Sequence, residues 1–278
     1  MPFRIVQSKQ NARLKELRRA LASPGRNESR LAGIEGPNLL AEALRARLHV
    51  ACVFVAQGSE RLVEALSLPP EVEILAMPRE LLDAALATET PQPVAALVET
   101  PNWTWARMLG DRKKGAPLIV VLAGLQDPGN LGTILRSAEA FGADGVLCLE
   151  GTASEWNPKA VRASAGSVFR MPVLRANQND AIAQLREAGV HLLATTVQRA
   201  KPADLVDLAE PVALLIGNEG NGVPVDLAAK ADGSITIPCP GPVESLNAAV
   251  AASVLLYEAA RQRAAKGDSP LGRRGGTR

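Results

Sequence analysis

Histidine, cysteine and aromatic residues are scarce in this sequence. The 278 residues include three cysteines (Cys52, Cys148, Cys239) far apart and two histidines (His49, His191), with no CxxC, HxxxH or HExxH spacing. Neither a zinc site nor a disulfide framework is expected, so the chain reads as reduced and metal-free. Aromatic residues make up 3%, too few for an RNA module that stacks bases on exposed rings. Long apolar runs are missing too. The longest, Asn247 to Tyr257, is short and alanine-rich, so no membrane span is expected. The start, MPFRIVQSKQ, holds Arg4 and no hydrophobic core segment, so no secretory signal is expected. What remains is 47% hydrophobic and 22% charged. That composition describes a packed, cytoplasmic protein long enough for two domains.

Charge is unevenly distributed. Residues 1–30 carry eight basic side chains against two acidic ones, and residues 261–278 carry six against one. With a net charge of +2 for the whole chain, the stretch between these ends is acidic. Basic ends suit a polyanionic partner, because Lys and Arg can neutralise phosphates and release counterions. A solvated first helix and a frayed tail would look the same, and charge alone leaves both readings open.

The pattern of apolar residues divides the chain. Ser8–Leu21 has helical spacing, Leu31–Glu35 and Val50–Ala56 read as strands, and Gly36-Pro37 opens a helix to Leu48. A helix near Glu60–Leu66, a strand Val72–Ala76, a helix Arg79–Ala87 and a strand Val94–Val98 follow. Residues 1–100 thus form a small α/β domain, and 101–116, rich in charge and Gly/Pro, form a linker. From 117 to 264 short apolar strands (Leu118–Ala123, Gly145–Leu149, His191–Thr195, Val212–Ile216, Ser234–Ile237) alternate with helices. The helices read at Leu131–Phe141, Asn157–Ala163, Ile182–Ala188 and Ser245–Arg263. This alternation predicts a parallel sheet covered on both faces. Residues 265–278 have nothing to bury and are expected to be a disordered basic tail.

Three segments follow predicted strands. In the first, DPGNLGTILRSA, the apolar stripe Leu131, Ile134, Ala138 and Phe141 turns Arg136 away from the core. The second, LLIGNEGNGV, is a glycine turn that lets backbone approach a ligand. It has neither the Lys-Ser/Thr of a P-loop nor a GxGxxG fingerprint, and no acidic ribose-binding residue follows the first strand. A nucleotide-dependent oxidoreductase is therefore disfavoured. The third, ITIPCPGPVESLNAAV, is a proline-stiffened loop leading into a helix capped by Ser245 or Asn247. That helix is apolar nearly all round and must be buried on several sides, in a core or between subunits.

Together and in this order, NLGTILRSAEAFGADGV, LLIGNEGNGV and IPCPGPVESLNAAVA resemble the three signature motifs of the SpoU/TrmH family. These are RNA ribose 2′-O-methyltransferases of the SPOUT class. The resemblance covers about residues 117–263. The first hundred residues, with NARLKELRRAL and IEGPNLLAEAL, are similar to the small α/β substrate-binding domain that precedes many members. The resemblance implies an α/β fold: a parallel-sheet SPOUT domain with a C-terminal trefoil knot, after a smaller RNA-binding domain. It also implies S-adenosylmethionine (AdoMet) as methyl donor and a homodimer formed through the knotted domain.

Carried over by position, the resemblance makes Arg136, Asn130, Glu219, Ser245 and Asn247 the catalytic set. It places AdoMet against Thr195, Gly217, Asn218, Gly220, Ile237 and Leu246. Arg136 is the family's proposed catalytic residue and is sometimes described as a base. A guanidinium barely deprotonates in proteins, so holding a phosphate and stabilising a developing 2′-alkoxide is the sounder role. Lys15, Arg18 and Arg19 on the first helix, with Arg162 and Arg170 in NPKAVRASAGSVFR, are candidate RNA contacts; solvated surface is the alternative reading for these. Ribosomal RNA is the expected substrate, with tRNA as the alternative. A non-catalytic RNA-binding assembly factor would be favoured by loss of Arg136, Glu219 or Asn247, and all three are present.

Overall fold

The computed structural model describes residues 3–22, 30–86, 88–109, 115–197 and 200–267, which group into two compact units. Residues 1–102 and 154–170 make the first, and 103–153 with 171–278 the second. The tail expected to be disordered lies outside the described residues from 268 onward.

In the first unit, β1 (Arg4–Ile5), β2 (Leu31–Glu35), β3 (Val50–Ala56), β4 (Glu73–Met77) and β5 (Val94–Glu99) form one sheet in the order β1-β4-β3-β5-β2. The strands β1, β4 and β3 run parallel, whereas β5 is antiparallel to both β3 and β2. Around it lie α1 (Ala12–Ala22), α2 (Pro37–Arg45), α3 (Arg61–Glu64) and α4 (Arg79–Leu86). Helix α1 buries Leu14, Leu17 and Ala20 in a core shared with Phe54, Leu75 and Leu97, while Lys15 and Arg19 stay exposed. Each buried leucine contributes about 2 kcal/mol of transfer free energy, so this face and not helix propensity fixes α1. Burial pushes the Cys52 thiol up to about 12, which leaves it inert.

The second unit begins inside the expected linker. Helix α5 (Trp105–Leu109) packs there, with Met108 fully buried in the core. A Cβ on Gly145 would lie 2.7 Å from the Met108 side chain, so the strand carrying Gly145 meets this helix without intervening space. The chain then runs through β6 (Leu118–Leu122), α6 (Pro128–Ala140) and β7 (Gly145–Cys148). An excursion carries α7 (Pro158–Ser164) into the first unit. It returns for β8 (Val173–Arg175), α8 (Gln178–Glu187), β9 (His191–Thr195) and β10 (Lys201–Pro202). The last elements are β11 (Val212–Ile216), α9 (Val225–Ala228), β12 (Gly233–Thr236) and α10 (Ala248–Ala265). The seven strands pair entirely in parallel, in the order β10-β12-β9-β11-β6-β7-β8. The central strands, LIVVL and VALLI, are buried along their whole length, as a sheet covered on both faces requires.

The excursion departs from the sequence reading, which kept residues 117–264 as one uninterrupted domain. Its arginines explain the departure. Arg162 donates to the Glu35 carboxylate at 3.3 Å, and Arg170 to Glu42 at 2.8 Å. Glu35 is a strand residue whose side chain is only 3% exposed, and it also accepts from Thr88 Oγ1 and the Gln92 amide. A buried carboxylate needs such donors. Gly166, in the left-handed region at φ 89°, leaves room for Glu42, whose Cβ would stand 2.7 Å from any Cβ there.

Candidate active site

In the second sheet β12, β9, β11 and β6 are neighbours and all point the same way. The loops after them therefore open on one edge, the carboxyl edge where parallel α/β sheets bind ligands. Thr195 ends β9 and donates its hydroxyl to the Leu215 carbonyl of β11 at 2.8 Å. Past β11, the turn Gly217–Gly222 closes on itself: Asn218 and Gly222 exchange backbone hydrogen bonds, and Asn218 Oδ1 accepts from the Gly220 and Asn221 amides. Beyond β12, Ile237 and Leu246 are half-buried at the two ends of an exposed loop.

Two helices start at this edge. Asp127 caps α6 by accepting from the Gly129 amide, with Pro128 in the first helical position. Asn247, not Ser245, caps α10, and its Oδ1 accepts from the Ala249 and Val250 amides. Its Nδ2 donates to Asn130 Oδ1 at 3.1 Å, and Asn130 Nδ2 donates to Glu219 Oε1 at 2.8 Å. The direction of this chain is forced. An ionised carboxylate only accepts, so Asn130 must turn its NH₂ to Glu219 and its oxygen to Asn247. Asn247 then has its oxygen left for the helix amides. Glu219 is thus tied to the first turns of two helices through two side-chain amides. One residue from each motif takes part in the chain.

Arg136 stands on the same α6, two turns in, exposed and without a hydrogen bond or ion pair among the described residues. Ser245 is exposed in the loop before α10 and makes no side-chain hydrogen bond among the described residues. Asn130, Glu219 and Asn247 are brought into contact; Arg136 and Ser245 are placed on adjoining segments and not joined to them. Among the expected RNA contacts, Lys15 and Arg19 are exposed, Arg18 donates to the Lys9 carbonyl at 3.4 Å, and Arg162 and Arg170 are engaged by Glu35 and Glu42. Sequence reasoning missed these carboxylate partners. The available signal was a glutamate ending the otherwise apolar strand LAGIE.

The site is suited to an adenosyl sulfonium ligand. Two half-buried aliphatic side chains and a glycine-rich turn offer apolar flanks and accessible backbone, and Glu219 supplies the one carboxylate of the amide chain. Residues 117–257 match the SpoU rRNA Methylase family, and residues 11–96 match the MRM3-like substrate binding domain. The chain is 32% identical over 252 residues to 23S rRNA (guanosine(2553)-2′-O)-methyltransferase RlmP of Bacillus subtilis, covering 91% of this chain and 97% of that one. Among solved structures it resembles the SpoU methyltransferase AviRb of Streptomyces viridochromogenes in complex with AdoMet, with TM-score 0.81 and 30% identity over 92% of this chain and 99% of the other. It also resembles the AdoMet-bound rRNA methyltransferase of Sinorhizobium meliloti, with TM-score 0.80 and 32% identity over 93% and 98%. With its three motifs on one sheet edge and residues 117–257 matched by the family, the chain belongs to the SpoU rRNA methylase family of AdoMet-dependent RNA methyltransferases.

Proposed function

We propose that the protein methylates a ribose 2′-hydroxyl of ribosomal RNA in the cytoplasm. The observation that carries this reading is the Glu219–Asn130–Asn247 chain, which joins all three motifs beside the loops suited to AdoMet. Bound AdoMet supplies an electrophilic methyl group. The loops Gly217–Gly222 and Ile237–Leu246, with Thr195, hold the donor largely through backbone groups. Asn130, Glu219, Ser245 and Asn247 orient the reacting ribose. Arg136 binds the neighbouring phosphate and stabilises charge growing on the 2′-oxygen as the hydroxyl proton passes to solvent. The acceleration comes mainly from alignment of two bound reactants.

Support for ribosomal RNA comes from RlmP, similar along nearly its whole length, and from the substrate-binding domain matched in residues 11–96. Lys15, Arg18 and Arg19 on α1 would contact phosphates there. The test is a map of 2′-O-methylation across total RNA with and without the protein. One ribosomal site should depend on it and stay unmethylated with Arg136→Ala, a variant expected to bind AdoMet normally. Dependence of a tRNA site instead would overturn the assignment.

The enzyme works as a homodimer in this reading. Val250, Val254 and Tyr257, at i, i+4 and i+7 of α10, are 49%, 39% and 56% exposed. They form an apolar stripe on the helix that also packs against α6, where Tyr257 meets Phe141 edge-on at 5.9 Å. A second copy of the chain, placing the same helix opposite, would cover it.

A further inference from the structure

The start of α6 holds Asn130 in place, and this start is braced from the neighbouring strands. Thr152 lies in the turn after β7, buried, with its hydroxyl facing the end of β6. It donates to the Leu122 carbonyl at 3.0 Å and accepts from the Gly124 amide at 3.2 Å. One residue further, the Ala153 amide donates to the Leu125 carbonyl at 2.8 Å. The turn between β6 and the Asp127 cap is thereby fixed at three backbone groups by two residues. Arg175, at the end of β8, completes the brace. Its guanidinium donates to the Thr152 carbonyl at 3.2 Å and to the Ala153 carbonyl.

We infer that Thr152 and Arg175 are positioning residues for methyl transfer: they set the turn that carries Asn130 to Glu219 and Asn247. The physical basis is that Gly124, at φ 73°, has an intrinsically permissive backbone, and a hydrogen bond to its amide removes that freedom. Without the hydroxyl, the amide loses its acceptor and the turn is free to sample other conformations. Asn130 follows five residues after Leu125, so movement there lengthens both of its hydrogen bonds. The inference rests on the reading of Asn130 as a site residue.

The test uses the full chain, Thr152→Val, which keeps the shape and removes the hydroxyl, and Thr152→Ser, which restores it. Amide hydrogen exchange without RNA should be faster at Gly124–Asn130 in the Val variant and return to the wild-type rate in the Ser variant. With unmodified ribosomal RNA transcript and tritiated AdoMet, kcat should fall about tenfold or more for Val, since misplacement by about 1 Å is enough for such losses. AdoMet affinity should hold, and Ser should recover the rate. Unchanged exchange, or a kcat loss that Ser does not recover, overturns the inference. If Thr152→Val does not fold, Arg175→Gln at the exposed end of the brace decides by the same two readouts. Asn130→Ala separates the two claims: a wild-type rate there refutes the site reading, whereas a loss there with none in Thr152→Val refutes the brace.

Discussion

Gly217 and Gly222 approach so closely that a Cβ on Gly217 would stand 1.8 Å from the Gly222 carbonyl carbon. The glycine is demanded by the turn's own backbone and not by space for a ligand. Gly217→Ala should therefore lower Tm and AdoMet affinity together, and the loss of binding would say nothing about contact. Gly220, where a Cβ meets nothing nearer than 3.7 Å, is the informative position. Gly220→Ala should leave Tm unchanged and weaken AdoMet in calorimetry. Unchanged affinity would remove Gly220 from the cofactor contacts.

Asn247 has two tasks that substitutions can separate. Serine can cap α10 but cannot donate an amide to Asn130, so Asn247→Ser should lose a few tenths of a kcal/mol while Asn247→Ala loses about 1 kcal/mol. Both should depress kcat. Full turnover in the serine variant would show that the amide chain serves the fold alone.

Arg162 should matter before any RNA is present. Removing it leaves the buried Glu35 carboxylate, among the described residues, with the Thr88 and Gln92 donors, and Arg162→Ala should cost about 1–3 kcal/mol in denaturant unfolding. Charge reversal at Lys15 and Arg19, which are exposed, should leave stability alone and flatten the salt dependence of RNA binding. A stable Arg162→Ala variant with weakened RNA binding would return that side chain to phosphate recognition.

Val254→Glu places a charge in the middle of the apolar stripe of α10. Light scattering at micromolar concentration should report a dimer for the unaltered chain and a monomer for the variant. A dimer that survives the substitution would locate the two-fold contact elsewhere.

Asp144 accepts from the Leu118 amide at 2.8 Å, and burial pushes its carboxyl above the usual range despite that bond and the nearby Arg263. A raised carboxyl pKa in the folded state contributes stability below the unfolded value, about 3.9, and loses it as pH rises through the folded one. Asp144→Asn cannot ionise. Its Tm should accordingly gain on the wild type as pH climbs through the acid range, then level off. A constant difference in melting temperature would contradict this origin.

Much of the fold was legible because burial on both faces leaves continuous apolar runs. Leu31–Glu35, Val50–Ala56, His191–Thr195 and Val212–Ile216 are strands at the boundaries the sequence suggests. The strands β1 and β10 have two residues each and β8 three, too short for periodicity to register. Helix α6 begins at Pro128, earlier than its apolar stripe, because Asp127 and Pro128 start it with polar chemistry. In the site, the motifs pointed to Asn130, Glu219 and Asn247. Their mutual contact spans 89 and 117 positions of chain and depends on the strand order, which no local pattern encodes.

Because residues 154–170 pack with the first unit, the chain passes between the units three times: after 102, after 153 and after 170. A protease cutting anywhere in 103–116 would sever only one of three strands of connection, so the halves should travel together on a sizing column. A fragment beginning at 117 would carry α7 stripped of Glu35 and Glu42, the carboxylates that engage Arg162 and Arg170. Grafting this substrate-binding domain onto another methyltransferase would accordingly mean transplanting seventeen residues from the middle of the catalytic half as well.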